Sequence, residues 1–161
     1  MGFSVVEIKD VETKGKYLEE LFEKTPFENH SISYEFTYLS AEGSTVFFAA
    51  FDNDKLIGLI DGYTKSVHKK KVGHIWDYII LSKYMDMDVA NTLYTEMENY
   101  FINNQCEVIL VAFPYFDDEE MDNGIYENIL YTKNGYRDLE ISDTLRPNSE
   151  YFNYRRMIKF L

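Results

Sequence analysis

The chain carries one cysteine, Cys106. An internal disulfide needs two thiols and a cysteine-based zinc site needs more, so neither holds this protein together. Three prolines and 8 glycines among 161 residues exclude collagen-like and turn-dominated chains. No apolar run approaches the ~18 residues that cross a bilayer. The opening Met1-Gly2-Phe3-Ser4 meets Glu7 and Asp10, without the basic and then apolar stretches of a secretory leader. These features predict a soluble, cytoplasmic protein. Positive charge is also scarce: 16 Lys and Arg stand against 28 Asp and Glu, for a net charge of −12. Nucleic acids and anionic membranes are bound by neutralising phosphate with Lys and Arg, so neither is an expected partner. A cationic substrate such as an amine suits the balance. The three histidines, His30, His68 and His74, lack metal-ligand spacing, and Asp117 to Glu120 lacks the glycine of a calcium loop, so no metal is expected. Serine hydrolase chemistry has no Gly-x-Ser-x-Gly motif to start from.

What the chain does have is apolar and aromatic mass, 45% hydrophobic and 17% aromatic residues, enough for one domain over 1–161 with a substantial core. Ser4 to Ile8 reads as a strand. Lys9 to Lys24 reads as a helix on Val11, Tyr17, Leu18, Leu21 and Phe22, ended by Pro26. Phe27 to Tyr38 is mixed in pattern. Ser44 to Asp52 and Leu56 to Tyr63 form a hairpin across the turn residues Asp52-Asn53-Asp54-Lys55. Lys69-Lys70-Lys71 reads as a solvated loop before the next strand, His74 to Leu81. Met85 to Asn103 is a helix with Val89, Leu93, Met97, Tyr100 and Phe101 on its buried face, followed by a β-branched strand, Glu107 to Phe113. Ile75 to Phe113 is thus a β-α-β unit. Ile125 to Asn134 reads as a helix that Gly135 stops through a left-handed conformation, and Tyr151 to Leu161 as the closing strand. Cys106, just before a buried strand, reads as a core residue. The aromatic strand Tyr151 to Phe160 offers a surface for a homodimer.

Two stretches carry a family resemblance. Trp76-Asp77-Tyr78-Ile79-Ile80-Leu81-Ser82-Lys83-Tyr84 runs into the helix with Leu93, and Leu130-Tyr131-Thr132-Lys133-Asn134-Gly135-Tyr136-Arg137 follows later. With the order of elements, they resemble the GNAT family of acyl-coenzyme A dependent N-acetyltransferases, in which the second stretch reads Leu-Tyr-x-Lys-x-Gly-Phe. The resemblance implies an α/β (α+β) fold: a mixed, mostly antiparallel twisted sheet with a parallel β-α-β core and helices on both faces. It implies transfer of an acetyl group from acetyl-CoA to a primary amine, which needs a deprotonated amine and a proton for the leaving thiolate. Tyr131 matches the family's general acid. Asp77 matches an acidic position on the central strand that orients or deprotonates the amine, and the neutral imidazole of His74 is a second candidate base.

Ile79, Ile80 and Leu81 fall where the family offers backbone groups to the pantetheine arm. The pyrophosphate loop, Arg/Gln-x-x-Gly-x-Gly/Ala in the family, corresponds to Met85-Asp86-Met87-Asp88-Val89-Ala90, which matches only at Ala90. Asp88 replaces the central glycine and brings a Cβ and a negative charge toward an anion. Asp86 and Asp88 also suit a helix N-terminus. Lys83 and Lys69-Lys70-Lys71 are the cations that could approach the phosphates. The departure keeps two alternatives open: a GNAT-fold module without cofactor that senses a ligand or binds a protein, and an acidic nucleic-acid mimic. Substrate choice would rest on Thr25 to Ser44 and Ile141 to Tyr151.

Overall fold

The computed structural model describes residues 2–24, 45–85, 87–114, 130–139 and 154–161. In chain order these form β1 (Ser4–Glu7), α1 (Val11–Lys24), β2 (Thr45–Asp52), β3 (Lys55–Val67), β4 (Lys70–Ile80), α2 (Met87–Asn103), β5 (Val108–Pro114), β6 (Arg137–Asp138) and β7 (Tyr154–Phe160). A short 3-10 turn, Ser82–Tyr84, joins β4 to α2. The strands make one seven-stranded sheet in the order β1-β2-β3-β4-β5-β7-β6. Every neighbouring pair is antiparallel except β4 and β5, which are parallel and joined through α2. This is the mixed sheet with a parallel β-α-β core that the sequence predicts.

Helices cover both faces. Asp10 starts α1 by accepting hydrogen bonds from the Thr13 backbone N–H (2.9 Å) and hydroxyl (2.7 Å). α1 then buries Leu18 and Leu21 against Phe47, Ala49, Leu56 and Leu59. On the other face α2 buries Val89, Leu93, Met97 and Phe101 against Val46, Phe48, Ala50, Ile60 and Ile75. β2 is therefore apolar on both sides, which explains why Val46 to Phe51 shows no polar alternation. Gly73 lets α2 lie close to the sheet, since a Cβ there would stand 2.7 Å from the Phe101 ring. Cys106 is buried in the same core.

The hairpins extend further than the sequence pattern. Asn53 takes a positive φ of 53° in the β2–β3 turn, a conformation asparagine tolerates. His68 and Lys69, with φ of 49° and 66°, make a two-residue turn whose twist matches the flanking strands. Pairing therefore begins at once, Val67 with Lys70 and Ser66 with Lys71. The lysine run thus places Lys69 in the turn and Lys70 and Lys71 in the strand, not in a loop before it. Similarly, α2 starts at Met87, because Ser82–Tyr84 forms its own turn first. Helical residues 130–133 end at Gly135, whose φ of 89° is the left-handed stop that the sequence implies. The readings for Thr25 to Ser44, Asp117 to Glu120, 125–129 and Ile141 to Tyr151 lie outside the described residues. Among the described residues no helix is long and apolar enough to cross a membrane.

Candidate active site

The site begins where two parallel strands part. β4 pairs with β5 from Val72–Val108 to Ile75–Val111, and no described pairing continues beyond Ile75. At that point β4 carries a bulge: Gly62 of β3 faces Ile75 and Asp61 faces Asp77, leaving Trp76 as the extra residue. Among the described residues, the strand pairing of β4 past the bulge is with β3. The Leu81 N–H donates to the Ile57 carbonyl at 2.9 Å, and alternation along the strand turns the backbone groups of Ile79 the same way. Tyr78 and Ile80 then present their N–H and C=O groups to the opened edge. Of the three residues that the resemblance offers to a pantetheine arm, Ile80 thus lies toward the opening, while Ile79 and Leu81 serve the sheet.

Asp77 lies on the face covered by α1, and it is not alone there. Asp61, directly opposite, accepts the Asp77 backbone N–H on Oδ1 at 2.8 Å. Asp61 is 0% exposed and Asp77 is 6% exposed. Among the described residues neither Oδ2 has a hydrogen-bond donor, and the two carboxyl groups lie within hydrogen-bonding reach of each other. Burial pushes Asp77 up to about 6. Asp61 is pushed well above the ordinary carboxylate range, first by burial and then by the charge of Asp77. A buried lysine faces them: Lys14 of α1 donates to the Thr45 hydroxyl at 3.2 Å and is electrostatically attracted to Asp61 and Glu7. Burial nonetheless holds Lys14 below the usual lysine range.

Sequence reasoning found Asp77 and missed both partners, although each leaves a sign. Asp61 interrupts the apolar run Leu56 to Tyr63 as Asp77 interrupts its own strand. Lys14 occupies the inward stripe of α1, four residues from Leu18 and seven from Leu21.

An aromatic wall adjoins the pair. Tyr63, two residues along β3 from Asp61 and hence on the same face, stacks on His74 with ring centroids 4.6 Å apart and planes 8° apart. Trp76 lies 5.4 Å from the same tyrosine. Burial and Lys65 hold His74 below the usual imidazole range, which favours its neutral form.

Tyr131 stands on the opposite face, 1% exposed, with the rings of Tyr136, Tyr94 and Tyr78 at 5.0, 6.2 and 6.5 Å. Tyr78 reaches across from β4 and donates to the Ala90 carbonyl of α2 at 2.5 Å. Tyr94 bonds to Glu98 and, at 3.0 Å, to the Tyr136 hydroxyl, while Lys159 pairs with Glu98 at 2.9 Å. Burial pushes the phenols of Tyr94 and Tyr136 up, so both remain protonated. Asp77 and Tyr131 thus approach the parting strands from opposite faces of the sheet.

At the head of α2, Val89 and Ala90 turn into the core, Met85 is half-buried and Asp88 is exposed. Asp86 and the Met87 side chain lie outside the described residues, although the Met87 backbone opens the helix. Backbone N–H groups at the start of a helix are suited to an anion. Two cations gather beside it: Lys83 Nζ lies 5.6 Å and Lys55 Nζ 5.4 Å from the ring of Tyr84, whose hydroxyl donates to Asp52 at 2.9 Å. β4 thus leads through the 3-10 turn directly into the start of α2, where the Asp88 side chain is exposed. Among the described residues no group of His, Cys, Asp and Glu is arranged to hold a metal ion.

A sheet with a single parallel pair that opens beside a helix start defines an acetyltransferase-type α/β domain. The family model for the Acetyltransferase (GNAT) family matches residues 15–123, and the chain belongs to that family. No curated protein matches it in sequence. Among solved structures, an acetyltransferase from Streptococcus agalactiae is similar at a TM-score of 0.71 and 14% identity, covering 100% of this chain and 99% of that one. An aminoglycoside 6'-N-acetyltransferase complexed with coenzyme A gives a TM-score of 0.72 at 15% identity, with 99% and 97% covered. The NatC complex bound to Gag peptide and CoA gives 0.71 at 16%, with 100% and 99% covered. At these identities the likeness is one of fold.

Proposed function

We propose that the chain is an N-acetyltransferase that takes an acetyl group from acetyl-CoA and places it on a primary amine, either a small amine, a peptide N-terminus or a lysine side chain. The observation that carries this reading is the buried Asp77 carboxyl at the point where β4 leaves β5. A carboxyl lifted to about 6 by burial is ionised at neutral pH yet basic enough to take a proton from an ammonium group. Tyr131 is the proposed general acid, its phenol held among apolar and aromatic side chains. Tyr78 and Ile80 would hold the pantetheine arm through backbone groups, and the start of α2, with Met85 to Ala90 and Lys83, would hold the pyrophosphate. Acetyl-CoA supplies the activated acyl group. A net charge of −12 favours a cationic substrate. Fold neighbours described with CoA and a peptide, or as acetylating aminoglycosides, support both the donor and the amine class.

Calorimetry with acetyl-CoA, followed by an amine panel, tests the reading. We expect saturable binding, turnover with at least one primary amine, and a loss of 10-fold or more in kcat for Tyr131→Phe with binding retained, in line with a general-acid contribution of about 10²–10⁴. Lys83→Glu should weaken acetyl-CoA binding several-fold. One observation favours a second reading, a GNAT-fold module without acyl-CoA: Asp88 stands where the family has its central glycine. No binding at millimolar acetyl-CoA would establish that reading in place of the first.

A further inference from the structure

We infer that Asp61 and Asp77 act as one carboxyl pair holding a single proton, in which Asp77 accepts the proton of an incoming ammonium group while Asp61 keeps its own and positions Asp77. The inference deepens the acetyltransferase reading and rests on it. Its ground is geometric. The two residues face each other across β3 and β4, both are buried, and Asp61 Oδ1 is already committed to the Asp77 N–H. Two oxygens without donors, on carboxyls within hydrogen-bonding reach, are satisfied by one proton between them and repelled without it. Full ionisation would put two negative charges in a site with no water-facing surface on Asp61.

The surroundings decide which member keeps the proton. Lys14 on α1 is the cation facing Asp61, Glu7 on β1 faces Lys14 in turn, and β2 contributes only the Thr45 hydroxyl. Burial and the Asp77 charge together outweigh Lys14, so Asp61 is the neutral member. Its hydrogen bond favours the charged form of Asp77. Asp77, two residues past the last contact with β5, is the member beside the opening. The proton step is balanced within the pair: an ammonium N–H breaks, an O–H forms on Asp77, the amine keeps the electron pair, and the pair passes from one negative charge to none. Water later takes the proton from Asp77. Asp61 touches no substrate in this scheme and is a positioning residue.

Carbon-13 NMR titration of the aspartate carboxyls in the whole chain tests the pair without substrate or acetyl-CoA. In the wild type one buried carboxyl should titrate near pH 6 and another should stay protonated above it. Asp61→Asn should abolish the higher step and raise the Asp77 step by about one pH unit, because an amide donates more weakly to a carboxylate than a carboxylic acid does. Asp77→Asn should lower the Asp61 step. In the amine assay, Asp61→Asn should lose about five-fold in kcat/KM at pH 6 and recover at pH 8.5, with the acid limb moving as the NMR step moves. Two steps near 4, or steps indifferent to replacement of the partner, would overturn the shared proton. An acid limb that stays fixed while the NMR step moves would overturn the acceptor role of Asp77. Turnover absent in the wild type, beside a shared titration, would overturn the acetyltransferase reading and that acceptor role, leaving the proton pair as a structural feature.

Discussion

Burial costs the charge of Lys14 more than its neighbouring carboxyl groups return. The residue sits in the inward stripe of α1, buried, with one hydroxyl partner and two carboxyl groups nearby. Desolvation outweighs the attraction of Asp61 and Glu7, so folding disfavours its charged form. If Asp61 is neutral, little Coulomb energy remains to offset that cost. Lys14→Met keeps the length and apolar stem of the side chain and removes the charge, so it should stabilise the fold by about 1 kcal/mol, within the range seen when buried charges give way to apolar isosteres. A urea midpoint that rises at pH 7 fits this account. A fall of similar size would mean that Lys14 is paired with an ionised Asp61, and the assignment of the proton would reverse.

At the scale of elements, the β3–β4 hairpin builds the site, and glycine sets its tolerance. A Cβ at Gly62 would stand 2.1 Å from the His74 carbonyl oxygen, a backbone atom that cannot swing away. Gly62→Ala must therefore push β4 aside beside the bulge that aims Asp77, and should cost about 1–3 kcal/mol as overpacking does. Gly15, within α1, would meet nothing inside 4 Å. Gly15→Ala should instead stabilise by roughly 0.5–1 kcal/mol through helix propensity. Urea unfolding of the two variants should give opposite signs, and equal effects would mean that β4 yields freely at the bulge.

The same hairpin shows what was legible in the sequence. Hydrophobic spacing reveals α2 and β5, because Val89, Leu93, Met97 and Phe101 repeat where a helix must bury them. It cannot reveal that Asp61 faces Asp77, since register across a bulge depends on pairing between residues 16 apart. Nor does it show that Leu81 spends its N–H on Ile57. Tyr131 was legible through the Gly135 that follows it, the cage of tyrosines around its ring only through the fold.

For the molecule as a whole, the aspartate pair ties stability to pH in an unusual sense. Most carboxylates are held below their unfolded values and lose stability on acidification. Asp77 is held at about 6 against an ordinary value of about 3.9, so between those values the folded chain binds more protons than the unfolded one. Stability should therefore fall as pH rises through this window, by about 3 kcal/mol for Asp77 alone, and Asp61 acts in the same direction. His74 opposes it, because a depressed imidazole loses stability as pH falls below about 6.5. The net charge of −12 also weakens the fold as pH rises, but that repulsion lies mostly between exposed charges and is screened by salt. The buried pair is not. Urea unfolding from pH 4.5 to 8 in 0.5 M salt, a concentration at which the screening length is roughly 4 Å, should thus retain the downward slope in the wild type, lose part of it in Asp77→Asn and lose most of it when Asp61→Asn is added. A slope that salt alone removes would place the pH dependence on the surface and leave Asp77 with an ordinary titration.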